Sequence, residues 1–251
     1  MAEQDHENTP NHVQARQSRL SQLATELEHV QLHVPAWLRA TSPENRLPVA
    51  FAILGAIVLQ LRLPDRYGLQ PRWMLPVLEL ALLGILTAIN PVRLNRATRL
   101  GRIASVAIVA AITMDNGIAA ASLDLHILRG TTGQDAVGLL TTGAAIYATN
   151  VIAFGIWYWE LDRGGPFVRA AGSDPYPDFL FPQMSDPHLA PPDWEPLFAD
   201  YLYVSLTNVF AFSPTDTMPL TRWAKSLMAC QSLIALSTTA LVVARAVNIL
   251  K

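Results

Sequence analysis

The sequence predicts an all-α fold, a polytopic membrane helix bundle with five transmembrane helices and a re-entrant, pore-like helix before the last of them. Hydrophobic residues make up 51% of the chain and charged residues only 15%, whereas about 25% of residues are charged in soluble domains. Five long windows carry almost no charge, and tryptophans lie near the edges of the apolar runs, where indole rings prefer the membrane boundary. We therefore expect a multi-pass protein of the cell (plasma) membrane.

Five weakly charged windows predict the five spans, since a spanning helix needs about 20 apolar residues. The first window is short, and it spans only if its two flanking arginines extend their heads to the interfaces. The first four windows together predict a four-helix membrane domain over residues 47–159. The windows lie between Arg46 and Arg62, Arg72 and Arg93, Arg102 and Asp124, Asp135 and Glu160, and Lys225 and Arg245.

The segment before the first span has two predicted parts. Residues 1–12 are polar and are expected to be disordered. Residues 13–40 are predicted to form an amphipathic helix, because apolar side chains recur at steps of three and four between Leu20 and Val34. This helix could lie on the membrane surface, pack on its own bundle or pair with a copy of itself.

Residues 160–192 are predicted to form a Pro-rich cap loop. Seven prolines and the Gly164-Gly165 pair exclude long regular helix or strand there. The aromatic and apolar residues of this loop favour a packed cap on one membrane face over disorder; they are Phe167, Tyr176, Phe179, Leu180 and Phe181.

Residues 193–251 are predicted to form a pore-like module of a re-entrant helix, a hairpin and the last transmembrane helix. The uncharged run from Tyr201 to Thr215 has only 15 residues, too few to cross a bilayer. Asp193 is expected to cap the start of this helix, because Glu195 and Pro196 follow in its first turn. Irregular backbone at membrane depth must be buried in protein or line a wet cavity, so we expect function in this module.

Polar groups gather at the carboxyl end of the re-entrant helix, where a partial negative charge favours a cation. Their oxygens could bind an ion, or the hydroxyls could satisfy the backbone of the turn itself. The pore or ion-site candidates are Ser205, Thr207, Asn208, Phe210, Phe212, Ser213, Thr215 and Asp216.

Three polar residues in mid-span form a second candidate set: Glu79, Asp115 and Asn116. An ionised carboxylate in a membrane is expensive and is normally paired, protonated or in contact with water. A functional site and a hydrogen bond between helices both stay open. A carrier with Asp115 as its proton site is a further possibility.

Other chemistry is absent from the sequence pattern. There is no Gly-rich phosphate loop, nucleophile elbow or Cys/His ligand spacing, and the only cysteine, Cys230, lies in an apolar run. Basic residues form short clusters between apolar runs, without the footprint of a nucleic-acid binder. We expect no enzyme, no cofactor, no metal and no nucleic-acid partner. The expected partners are the lipid bilayer, further copies of the chain and a monovalent cation.

The segment from Asp200 to Asp216, continued by Pro219 to Lys225, resembles the pore module of the potassium-channel superfamily. In that comparison Phe210 and Phe212 occupy the positions of the two filter glycines. Those glycines are needed because the filter backbone visits positive φ, where a bulky residue is strained. The resemblance therefore implies a channel-like module without the usual potassium filter.

Over its whole length the chain is more similar to a family of uncharacterised bacterial integral membrane proteins. The similarity is carried by Trp159-Glu-Leu-Asp-Arg-Gly-Gly-Pro166, by Phe181-Pro182-Gln183 and by the segment from Ser213 to Trp223. The resemblance to this family implies a location in the inner (plasma) membrane of a bacterium and no established activity.

Two functions remain open at this point. One is an oligomeric pore that conducts or binds a cation, and the other is a non-conducting scaffold or sensor in which the hairpin is a packed plug. The side that holds the N-terminus and the cap loop has 12 of the 18 Lys and Arg residues, which predicts a cytoplasmic location for that side. A potassium-channel pore, in contrast, enters from outside.

Overall fold

The computed structural model describes residues 34–89, 98–210 and 216–250, together with Arg19 and Ser21. The predicted disorder of residues 1–12 lies outside the described residues, and so does nearly all of the amphipathic helix predicted over 13–40. The described chain is mostly α-helical, which confirms the predicted fold class at that level.

Each weakly charged window contains a helix, and the cap loop and the pore-like module contribute the shorter elements. The helices are α1 (Leu47–Arg62), α2 (Met74–Ile89), α3 (Arg99–Leu128), α4 (Ala136–Leu161), α5 (Pro166–Ala170), α6 (Pro182–Ser185), α7 (Phe198–Phe210) and α8 (Arg222–Leu250). Short 3-10 turns occur at Ala36–Leu38, Asp162–Gly164 and Pro187–Leu189, and two strands, β1 (Phe179–Leu180) and β2 (Met218–Pro219), pair with each other.

Three helices, α3, α4 and α8, are long and apolar enough to cross a membrane. Helices α1 and α2 have 16 residues each, which at 1.5 Å per residue corresponds to about 24 Å, against a hydrocarbon core of about 30 Å. Length and composition therefore support a multi-pass membrane protein through three helices. The spanning of α1 and α2 stays a prediction.

Two helices begin at side chains that cap them, and a third begins away from the residue that was predicted to cap it. Thr98 and Asp135 each accept a hydrogen bond from a backbone N–H in the first turn of α3 and α4. The prediction for Asp193 is wrong, because α7 begins at Phe198. There Asp200 Oδ2 accepts from the backbone N–H of Leu197 at 2.8 Å, so a carboxylate in the third helical position reaches back over the first turn.

Helix α4 is the centre of the bundle, and α1, α3, α7 and α8 all pack against it. Over residues 149–160 no residue of α4 is exposed, whereas its first half has an exposed stripe that includes Val137, Leu140 and Ala144. Ile146, Phe154, Ile156 and Tyr158 are almost inaccessible. Close approach to α7 is possible because Gly155 has no side chain: a Cβ there would lie 3.1 Å from the Cα of Leu202.

Side-chain contacts define two ends of the bundle. At the first, the cap end, Arg46 before α1 donates to the carbonyl of Leu86 in α2, and Ser105 of α3 donates to Glu160 of α4. At the opposite end, the distal end, Arg245 of α8 donates to the carbonyl of Gly133 before α4. The long helices thus alternate in direction along the chain.

The cap loop packs on the cap end. Strands β1 and β2 are antiparallel, with Leu180 opposite Met218, so the cap is joined to the segment that precedes α8. Trp223 Nε1 donates to Asp178 Oδ1 at 2.8 Å, and Phe179 is fully buried. Tyr176 is 80% exposed, so it takes no part in this packing.

Candidate functional site

Charged residues of the segment from Trp159 to Arg169 form a buried network under the cap. Asp162 is fully buried, and its carboxylate accepts from the backbone N–H of Asp178 at 2.8 Å and from the hydroxyl of Tyr201 at 2.6 Å. The chain turns sharply after it, since Arg163 and the two following glycines all have positive φ. This turn connects α4 to the cap and ties both to α7.

Arg169 is the second centre of the network. Its guanidinium donates to Glu44 Oε1 at 2.9 Å and to the carbonyls of Trp159 and Asp162 at 2.6 and 2.9 Å. The ion pair is buried on both sides. Burial raises the pKa of the Glu44 carboxyl, and Arg169 acts in the opposite direction. These charges are partnered inside the chain, so they anchor the cap, and we assign them a structural role.

A polar cluster at the middle of the bundle contains two of the predicted site residues. Gln231 of α8 is fully buried; its Oε1 accepts from the Tyr158 hydroxyl at 2.5 Å and from Asn208 Nδ2 at 2.8 Å. Its Nε2 donates to Ser205 Oγ at 2.6 Å, and Ser205 Oγ donates to the carbonyl of Val151 at 2.7 Å. Ser205 and Asn208 therefore link α7 to α4 and α8.

The other predicted residues of the pore-like module do not join this cluster. Thr207 Oγ1 donates to the carbonyls of Tyr203 and Val204 in its own helix. This bond agrees with the alternative in which the hydroxyl serves the local backbone and not an ion. Phe210 is 68% exposed and its ring lies edge-on to Tyr147, with centroids 5.6 Å apart. Asp216 is exposed, and its Oδ1 accepts from Thr217. Phe212, Ser213 and Thr215 lie outside the described residues.

The predicted intramembrane acids lie close together between α1, α2 and α3. Glu79 is fully buried, and its Oε1 accepts from Gln60 Nε2 at 3.3 Å. Glu79 Oε2 and Gln60 Oε1 have no hydrogen-bond partner among the described residues. Asp115 is also buried; it lies near the backbone of Leu69 and interacts electrostatically with Glu79 and with Arg72. Two carboxylates thus share one site.

Among the described residues, the positive charge of Arg72 compensates the two carboxylates of Glu79 and Asp115 only in part. Arg72 is the cation that interacts with Asp115, and its Nη1 also donates to the exposed Asp65 at 3.0 Å. Its Nη2 donates to the carbonyl of Gln60 at 2.6 Å. From the described part of the chain, the site therefore holds two acids, one shared guanidinium and two unpaired acceptor oxygens, a composition that suits one more positive charge.

Asn116, the neighbour of Asp115, is buried, and its Oδ1 has no hydrogen-bond partner within the described segments. The sequence reasoning missed Gln60, Tyr158 and Gln231, although Gln60 and Gln231 are amides inside apolar windows. An uncharged polar side chain in such a window is a usable signal, because it must find a partner on another helix.

Comparison of the chain with protein-family models, with curated proteins and with solved structures finds no match. The two resemblances noted from the sequence therefore stay predictions, and function has to be argued from the chemistry of the site.

Proposed function

We propose that this chain is an oligomeric, multi-pass membrane protein that binds a monovalent cation inside its helix bundle, between Glu79 and Asp115. The observation that carries the proposal is the fully buried Glu79 carboxylate, whose Oε2 lacks a partner among the described residues beside an equally unpaired Gln60 Oε1. Carboxylate and amide oxygens are the ligands that hard cations such as Na⁺ prefer. Buried acids in membrane helices are normally neutralised by a partner or a proton.

Short helices support access to this site from the distal end. Helices α1 and α2 are shorter than α3, so the connection between them reaches Asp115 in the middle of α3, through the backbone of Leu69. Arg72, in the same connection, is 22% exposed. In our proposal the cation enters along this connection and replaces a proton on the acidic pair.

We expect Glu79→Gln and Asp115→Asn to lower Na⁺ affinity about tenfold or more, because each removes a charged ligand. Binding of radioactive Na⁺ to the purified protein at several pH values measures the effect. For the natural chain we expect weaker binding as the pH falls, since protons compete for the same carboxylates. With a pH gradient across proteoliposomes, Asp115→Asn should also abolish driven uptake.

Asp193→Asn is the matched control for this experiment, because Asp193 is an exposed acid directly after the cap loop. Its Na⁺ binding should equal that of the natural chain. The acidic-pair proposal fails if Glu79→Gln and Asp115→Asn bind Na⁺ as tightly as this control.

The proposal also includes a re-entrant hairpin formed by α7 and the residues up to β2. Phe198, at the start of α7, contacts Trp159 at the cap end of α4, whereas Phe210, at its end, contacts Tyr147 near the middle of α4. Met218 is paired with the cap strand β1. These contacts support a chain that enters the bundle from the cap end and returns to it. At 13 residues, α7 is about 20 Å long.

Impermeant thiol labelling tests the hairpin directly. In a Cys230→Ser background, cysteines introduced at Asp193 and Asp216 should react from the same side of the membrane, because both flank the hairpin at the cap end. A cysteine at the exposed Gln134, at the distal end, should react only from the other side. Reaction of positions 193 and 216 from opposite compartments would overturn the re-entrant topology.

A second candidate function, a non-conducting scaffold or sensor, is favoured by the Gln231 cluster. The side chains of Ser205 and Asn208 are engaged in bonds between helices, as in a packed plug. Tyr203, Leu206 and Phe210 are exposed on α7 and support oligomer contacts. Planar-bilayer recording of the purified oligomer separates the two: steady cation currents would exclude the plug.

A further inference from the structure

Helix α8 has one exposed apolar face along most of its length. Among the three helices long enough to span a membrane it is the least buried: 22% of its most apolar stretch is buried, against 50% for α3 and 61% for α4. Its other face packs on α3, α4 and α7. Exposed apolar residues recur at steps of three and four and so share one side of the helix. These residues, the α8 stripe, are Ala229, Leu233, Leu236, Ala240, Val243 and Val247.

Two exposed cations lie at the cap-end limit of the α8 stripe. Arg222 and Lys225 precede Ala229 by seven and four residues, so both lie on the same side of the helix as the stripe. Neither side chain forms a hydrogen bond or an ion pair with another described residue. Asp178 contacts this end of α8, but its carboxylate accepts from Trp223 Nε1 and from the backbone N–H of Arg163. Within the described chain the two positive charges therefore have no acidic partner.

The length of the α8 stripe fits a bilayer. The rise from Lys225 to Val247 is about 33 Å at 1.5 Å per residue, close to a hydrocarbon core of about 30 Å. Arg245 lies off the stripe and bonds to Thr132 and Gly133. The indole of Trp223, between the two cations, belongs to a residue type that prefers the head-group boundary. With α8 across the bilayer, Arg222 and Lys225 lie at the level of the head groups.

Charge distinguishes the two occupants that such a stripe could have, a second copy of the chain and lipid. Copies share their orientation in a membrane, so a two-fold pair through this face brings each residue of α8 next to its own counterpart. Arg222 and Lys225 would then face the same two cations of the other copy, which repel them. A phospholipid with an anionic head group instead brings a negative charge to the cations and acyl chains to the apolar residues. Charge complementarity therefore favours the lipid.

We propose that the α8 stripe is a lipid-facing surface that selects anionic phospholipids of the cap-side leaflet through Arg222 and Lys225. The phosphate lies at the two cations, and the acyl chains lie along the outer surface of the bundle. The proposal rests on the membrane location of α8 and is independent of cation binding at Glu79 and Asp115. It leaves the exposed residues of α7 for contacts between copies.

Fluorescence quenching at Cys230 tests the proposal on the full chain. Cys230 is the only cysteine, is exposed, and follows Lys225 by five residues, so a bimane label there reports which lipids contact α8. The labelled protein is reconstituted in dioleoylphosphatidylcholine with equal fractions of either dibrominated phosphatidylglycerol or dibrominated phosphatidylcholine. The two quenchers have the same chains and differ in head-group charge. We expect a preference for phosphatidylglycerol of at least about threefold, which high salt reduces.

Other quenching results would overturn the proposal. Equal, strong quenching by both brominated lipids would mean that the stripe contacts lipid without selecting its charge. Weak quenching by both would mean that a second copy of the chain covers the stripe. A preference that high salt leaves unchanged would contradict its electrostatic origin.

Substitutions then assign the preference to the two cations. Arg222→Gln combined with Lys225→Gln should abolish it, whereas Arg222→Lys, which keeps the charge, should retain it. Arg62→Gln combined with Arg129→Gln is the matched control, because it removes two exposed arginines at the distal end; it should also retain the preference. Equal preferences in the two double variants would overturn the assignment, and the lipid comparison on the natural chain stands even if a variant misfolds.

Discussion

Arg169→Ala should lower the free energy of unfolding by about 3–5 kcal/mol, the largest effect that we expect from a single substitution. Arg169 is buried and holds Glu44 together with the carbonyls of Trp159 and Asp162. Its removal leaves the Glu44 carboxylate buried without its ion-pair partner, and such a charge is far more costly than the intact pair is favourable. Chemical unfolding in mixed detergent micelles measures the loss.

The loss should shrink in acid. Burial already raises the pKa of Glu44, and without Arg169 nothing in that ion pair opposes the shift. The folded variant then binds a proton more tightly than the unfolded chain does, so its relative stability is greatest at low pH and falls as the pH rises through the raised pKa. We expect a smaller loss at about pH 5 than at about pH 8.

Two further variants serve as controls for Arg169. Arg222→Ala removes an exposed arginine at the start of α8 and should change stability by no more than about 0.5 kcal/mol. Glu44→Gln combined with Arg169→Ala should be more stable than Arg169→Ala alone, because the buried Glu44 charge that lost its ion-pair partner is then removed as well. A loss in Arg169→Ala that neither pH nor the Glu44 change relieves would contradict the ion-pair account.

Gln231→Leu should lower the free energy of unfolding by about 2–4 kcal/mol. Leucine is apolar and of similar size, but it removes the partner of the Tyr158 hydroxyl, of Asn208 Nδ2 and of Ser205 Oγ. Hydrogen bonds between membrane helices are worth about 0.6 kcal/mol on average and up to about 1.7, and a buried donor left unmade costs about 1–3. Because all the hydrogen bonds of the Gln231 side chain are lost together, the total exceeds that of an ordinary substitution.

The same variant should loosen α7 in particular. We expect faster amide hydrogen exchange over residues 198–210 and unchanged exchange near the start of α4, which Gln231 does not contact. Ser226→Ala, an exposed residue of α8 that bonds only within its own helix in the described contacts, is the matched control. Addition of Tyr158→Phe to Gln231→Leu should cost little more, because the hydroxyl has already lost its partner. Unchanged exchange in α7 would show that Gln231 does not hold the hairpin.

Sequence patterns were sufficient for features that depend on neighbouring residues. Weakly charged windows predicted the positions of α1, α2, α3, α4 and α8, because helix formation in an apolar run requires only local hydrogen bonds. Asp135, which bounds the fourth window in the sequence, caps the start of α4 in the structure through a contact three residues away. The proline and glycine content of the cap correctly excluded long elements there.

Contacts between residues far apart in the chain could not be predicted from those patterns. Glu44 and Arg169 are 125 residues apart in the chain, and Asn208 reaches Gln231 through packing of α7 on α8. The sequence alone offered Ser205 and Asn208 as ion ligands, since their oxygens near a helix end suit a cation equally well. The start of α7 was misplaced because Asp193 and Asp200 are both capable of bonding to free N–H groups.

By itself, then, the amino-acid order determined the class of this protein, a mostly helical bundle with membrane-compatible helices, because hydrophobicity and helix breakers act over a few residues. Only the tertiary structure decided which buried polar groups have a hydrogen-bond partner and which do not. It brought Ser205 and Asn208 to Gln231, and it brought Glu79 to Asp115 and left one oxygen of Glu79 without a partner among the described residues. A buried polar atom is satisfied or unsatisfied according to what packs against it, and that is a property of the folded chain.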